Sequence, residues 1–189
     1  MNRRDCLRLG GAALMWPLGL LLDPVTPFLP RQRGGGPYGH IFFSRDDVPR
    51  IRSNARTPLL RPVVEAWAAA SPDVVREAME KAAATGNLVY DFRDALGALL
   101  RASLVQLVDP APDRREAVRF GVEATLRMPR WDYLLEGGTE VIGLMRASMA
   151  TAALLFARDV LADEPDAALE AALLEAVAEK GALPCYRTL

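Results

Sequence analysis

Histidine is almost missing from this chain: His40 is the only one in 189 residues. A histidine-rich metal centre is thereby excluded, as is any catalytic arrangement that draws on several histidines. Cysteine is nearly as scarce, with Cys6 and Cys185 alone, so no cysteine cluster is present to hold a metal. Lysine is confined to Lys81 and Lys180, which leaves arginine to carry nearly all the positive charge. Those arginines are interleaved with Asp and Glu instead of forming a basic face, so no nucleic-acid partner is expected. Strand-like alternation is also lacking, since "HIFF" is too short to compete, and no repeat of thirty-odd residues recurs. No cofactor or metal follows from what is left.

What is there is apolar and helical. With 51% hydrophobic and 25% charged residues, the chain can bury one sizeable core. The formal charge is −1. The N-terminal "NRRDCLRLGGAALMWPLGLLL" sets Arg3 and Arg4 ahead of an uncharged run from Leu9 to Leu22. At 1.5 Å per residue that run covers about two thirds of a bilayer, the length of a signal-peptide core and too short for a spanning helix. Arg3-Arg4-Asp5-Cys6-Leu7-Arg8 resembles a twin-arginine export signal, with Cys6 where an apolar residue is usual. The resemblance implies a signal peptide at residues 1–22, the twin-arginine translocase as partner, and a periplasmic or secreted product. Cys185 is then the one cysteine of the mature chain, and no internal disulfide forms.

Residues 23–39, "DPVTPFLPRQRGGGPYG", hold four prolines and four glycines and read as a linker. The folded part opens on "GHIFFSRDDVPRIRSNA", where Ser44 has the place of a helix cap, Asp46 and Asp47 favour its positive end, and Phe43 and Val48 are spaced as a hydrophobic staple. Pro49 shifts the regular helix toward Asp47. Two short helices follow, one with Thr57 as cap and Pro58 in its first turn, the next from Ser71-Pro72 to Gly86. Four longer helices carry the architecture. Phe92, Leu96, Leu99, Leu100, Leu104 and Leu107 form the stripe of the first, which Asp109-Pro110 ends. Ala117, Phe120, Ala124 and Met128 mark the second. Ile142, Met145, Met149, Ala152, Phe156 and Val160 mark a third over 139–162. The fourth runs from Pro165 through Leu169, Leu173 and Val177 to Lys180, with Gly181 as its stop. Short connections predict antiparallel hairpins, and the fold class is all-α.

This order resembles the N-terminal region of the heparinase II/III-like polysaccharide lyases. "HIFFSRDDVPRIR" is similar to that family's opening phrase, and "FRDALGALLRASLVQLVDPAPDRREAVRFGVEATLRMPRW" to its first toroid hairpin, closed by Trp131. "ASMATAALLFARDVLADEPDAALEAALLEAVAEKG" resembles the next hairpin, with Asp159 at the place of a helix-end aspartate. The resemblance implies that residues 40–189 are the N-terminal part of an (α/α) toroid, in a protein that cleaves uronate-containing glycans by β-elimination. Such chemistry removes the C5 proton with a Tyr or His base while donors neutralise the sugar carboxylate. In the family those groups lie mostly in later helices and a β-sandwich, so no residue here inherits a catalytic role and the chain alone is expected to be inactive.

Binding candidates are Trp131 and Tyr133, whose faces suit a pyranose ring, and Tyr186 with Arg187, placed to meet an anionic polysaccharide. Packing at a hairpin end is the competing role of the first two. His40 in the opening phrase is more simply structural, and Asp46 and Asp47 are helix-start charges, not a pair of glycosidase acids. A toroid cut after four main helices would leave Leu173, Val177 and 183–189 as an apolar edge, to be covered by missing toroid and sandwich regions or by self-association. The alternative to a lyase portion is a non-catalytic exported helical module that binds a glycan or protein partner.

Overall fold

A computed structural model describes residues 40–134 and 138–188 of the chain; the twin-arginine segment at 1–22 and the linker at 23–39 lie outside the described residues. Residues 40–189 form one compact unit. Its elements are a 3-10 turn at Arg45–Asp47, then α1 (Val48–Ala55), α2 (Arg61–Ala68), α3 (Asp73–Thr85), α4 (Asp91–Val108), α5 (Pro112–Arg127), α6 (Met145–Leu161) and α7 (Ala167–Ala176), a π turn at Val177–Ala182, and α8 (Leu183–Thr188). Among the described residues the fold is all-α, with a lone antiparallel bridge between Leu134 and Val141 in place of any strand.

The opening phrase folds as its chemistry asks. The Ser44 backbone N–H and hydroxyl both donate to Asp47 Oδ2, at 3.0 and 2.7 Å, and Arg50 donates to Oδ1. These donors hold the half-buried Asp47 carboxyl down at about 2, the Ser44 amide foremost. The regular helix starts at Val48, with Pro49 in the first turn, where its missing N–H costs nothing.

Side-chain bridges fix the helix directions. Arg115 at the start of α5 donates to the Leu161 carbonyl at the end of α6, and Asp132, just past α5, binds the start of α6. These two helices are therefore antiparallel. Arg158 of α6 meets Glu170 of α7, while Thr151 lies against Gly181 beyond α7, so that pair is antiparallel too. Gly121 of α5 packs on Val75 of α3, and the Thr125 hydroxyl faces Met79 sulfur at 3.7 Å, which makes α3 and α5 parallel. Arg146 at the start of α6 reaches the carbonyls just ahead of α4, and Leu107 and Val160 at the two far ends line one cleft. Thus α4 and α6 run one way and α3, α5 and α7 the other, the two-way layering of antiparallel hairpins. Helix α4 is the hub, packed on α1, α2, α3, α5 and α6.

The core is one cluster. Phe92, Leu96, Leu99, Val118, Val122, Trp131 and Leu154 are wholly enclosed, and Ala82, Ala95, Ala147, Ala150, Ala153 and Ala157 let helices approach closely.

Several expected faces and ends are corrected. Helix α2 begins at Arg61 with Pro62, not Pro58, in its first turn, because the Thr57 hydroxyl donates back to the Asn54 carbonyl and caps nothing. The buried face of α5 is Val118, Gly121, Val122 and Thr125, one residue round from the expected stripe; Ala117, Phe120 and Ala124 are only half-buried. Helix α6 starts at Met145, and its buried face is the alanine row, leaving Met145 65% exposed. Gly181 does not stop α7: the chain widens into a π turn and continues as α8. The edge expected to be bare is partly covered, since Leu173 is 2% exposed and Val177 packs on the core. Among the described residues no helix is long and apolar enough to cross a membrane.

Candidate functional site

The first amides of a helix have no partner within it, and α6 begins abruptly after a bend at Leu144. A carboxylate from outside supplies the acceptor. Asp132, 1% exposed, takes the amides of Leu144, Arg146 and Ala147 on Oδ2 at 2.9, 3.0 and 3.2 Å, and the amide of Tyr133 on Oδ1. The negative charge also suits the positive end of the helix. Arg146 then turns the other way: its Nε and Nη2 donate to the carbonyls of Leu88 and Val89 at 3.0 and 2.9 Å. That loop is itself shaped by Gly86, at φ 62°, and by Asn87, whose Oδ1 accepts the amides of Val89 and Tyr90.

On the other side, Gly143 lies so close to the backbone of Pro184 and Cys185 that no Cβ would fit. The Ile142 amide donates to the Tyr133 carbonyl at 2.7 Å. Four segments, 87–90, 131–134, 141–146 and 183–187, are thereby fastened into one end of the helical layers. Leu88 and Trp131 of these segments are buried, but six other large side chains face outward: Tyr90, Tyr133, Leu144, Met145, Leu183 and Tyr186 are all exposed, Tyr186 to 78%. Arg187 is exposed beside Tyr186, and the Arg93 guanidinium lies 5.5 Å from the centre of the Tyr90 ring.

The sequence-derived candidates divide here. Tyr133, Tyr186 and Arg187 come to the same end of the fold with their side chains accessible. Trp131 does not join them: it is 0% exposed, its indole N–H donates to the Thr125 carbonyl at 3.1 Å, and it packs near Gly181. Its face meets protein, so packing is its role. Tyr90, Asp132, Gly143 and Arg146 went unnoticed. Gly86-Asn87 signals a turn beneath Tyr90, but no local pattern pairs Asp132 with an amide fourteen residues on.

The opposite end holds His40 in a small cleft of about 60 Å³, with Arg52, Arg115, Asp159 and Asp163 among its walls. Its groups are committed to fastening. Asp159, 4% exposed, accepts the amides of Ile41 and Phe42 on Oδ2 at 2.8 Å each, while Oδ1 faces Arg158 at 3.2 Å and His40 Nδ1 at 3.8 Å. Phe42 and Phe43 set their rings edge-on to Phe156. Arg45 pairs with Asp163, Arg115 with Glu164, and Arg52 donates to the Leu107 carbonyl. This end locks the opening phrase to α6. Among the described residues no group of three or more His, Cys, Asp or Glu side chains is placed to hold a metal ion. No protein-family description, curated protein or solved structure matches the chain.

Proposed function

We propose that this chain is the N-terminal toroid portion of an exported protein of the polysaccharide lyase type, and that its own part is to hold an anionic glycan without cleaving it. The observation that carries the reading is the convergence of exposed Tyr133 and Tyr186, with Arg187 alongside, on one end of the helical layers. Aromatic faces suit the apolar face of a pyranose, and a guanidinium suits a uronate carboxylate. The alternating hairpin layers are the unit from which an (α/α) toroid is built, which supports the same reading. Asp132 and Arg146, the two buried charged groups at this end, are spent on backbone and offer neither base nor acid to a sugar.

The test combines binding with turnover. Sized oligomers from heparin and alginate are titrated into the chain, and ultraviolet absorbance of unsaturated uronate ends is followed. The expected result is salt-sensitive binding, weakened several-fold in Tyr133→Ala and Tyr186→Ala, with no growth in absorbance. Robust turnover would remove the claim of inactivity. Binding of neutral glycans that ignores salt would favour the alternative, a self-contained exported binding module.

A further inference from the structure

A second hollow, on the flank of the fold between α2, α3, α4 and α5, has about 100 Å³ of free space. Its walls are apolar: Trp67 from α2, Val74 and Val75 from α3, Ala98, Ala102 and Val105 from α4. Two arginines meet it, and they differ. Arg114 is already paired, its Nη1 donating to both the carbonyl and the carboxylate of Asp109. Arg101 is exposed and has no carboxylate within ion-pair distance among the described residues. Its guanidinium folds back along α4 toward Gly97, 3.3 Å from where a Cβ there would stand. An apolar hollow with one uncompensated cation at its edge selects a ligand with an apolar body and one negative group.

The wall is also lightly built. No residue of α2 is fully buried, so Trp67 reaches the hollow from a helix that has surrendered little surface to the core. We infer that this hollow binds a small monocarboxylate with an apolar body, a short aliphatic chain or a single ring, its carboxylate on Arg101 and its body against Trp67. A cavity of about 150 Å³ accepts a benzene ring, which sets the size class. Each part is needed: the hollow has no other unpaired charge among its described walls, and the apolar surface it offers is too small for a long acyl chain.

The probe is hexanoate, titrated into the full chain while tryptophan emission is followed, with hexylammonium as the matched ligand of opposite charge. A ligand of about eight non-hydrogen atoms belongs in the millimolar range. The expected result is saturable change with hexanoate, and binding of hexylammonium at least about tenfold weaker. Trp67→Phe loses the signal, and Arg101→Met binds the two ligands alike. Ala102→Leu, which fills the hollow, abolishes hexanoate binding with the melting temperature held or raised. Equal binding of both ligands by the wild-type chain overturns the inference. So does a folded chain whose emission ignores hexanoate, or a response that survives in Ala102→Leu.

Discussion

Replacing Asp132 by alanine tests how the end of the helical layers that carries Tyr133 and Tyr186 is held together. The carboxylate accepts four amides, and two of those bonds, from Arg146 and Ala147, are fully buried. Hydrogen bonds to a charged acceptor contribute about 1.5–3 kcal/mol each, but three share one oxygen, and the buried carboxylate has given up its own hydration. A better bound comes from what is left behind. Two buried donors without an acceptor cost about 1–3 kcal/mol each, and loss of a helix cap about 0.5–2 kcal/mol, overlapping with them. Asp132→Ala is therefore expected to destabilise by about 3–5 kcal/mol, a large part of a domain's usual 5–15 kcal/mol, and to lower Tm by about 10–15 °C. Asp132→Asn keeps one carbonyl for α6 but turns an NH₂ toward the Tyr133 amide, so about 2 kcal/mol is expected. Urea unfolding followed by circular dichroism and by tryptophan emission in a Trp67→Phe background measures both. A loss below about 1 kcal/mol in Asp132→Ala, with an unchanged urea slope, would refute the reasoning.

The other end of the fold gives a parallel case: Asp159→Ala frees the amides of Ile41 and Phe42, so hydrogen exchange at residues 40–43 should accelerate well before global unfolding. Gly143→Ala forces a Cβ onto the backbone of Pro184 and Cys185, which cannot yield, and should detach α8, seen as rapid tryptic cleavage near Arg187. Gly121→Ala meets Leu99 at 2.8 Å and Val75 at 3.0 Å, side chains that can shift, and should cost about 1–3 kcal/mol without local fraying. Asp47 has its folded pKa lowered to about 2 from 3.8, so its contribution is present above about pH 4 and is lost as pH falls toward 2. The stability gap between wild type and Asp47→Asn should close over that window, and a gap independent of pH would contradict it. A reporter fused after Pro37 should leave the cytoplasm, and Arg3→Lys with Arg4→Lys should retain it.

Local chemistry was enough for the all-α class and for most helix ends that rest on it. Ser44 with Asp47, Ser71-Pro72, Gly86 and Asp109-Pro110 act through neighbours within a few residues, so they read correctly in isolation. Which face of α5 and α6 turns inward was not legible. Of the expected stripes only Met128 and Val160 are buried; close packing put Val118, Gly121, Val122 and Thr125 of α5 and the alanine row of α6 inside, because small residues let helices approach where Phe120, Met149 and Phe156 would hold them apart. The same rule explains Gly181, which looks like a helix stop in sequence and instead makes room for Thr151 and Trp131 within a continuing helix. The candidate site divides along that line. Tyr133, Tyr186 and Arg187 were visible as residue types. Their meeting depends on Asp132 reaching α6, Arg146 reaching the loop before α4, and Gly143 admitting α8, bonds between residues from twelve to nearly sixty positions apart in the chain. Local sequence pattern does not encode such pairings, because each is set by which helix ends the packed layers bring together.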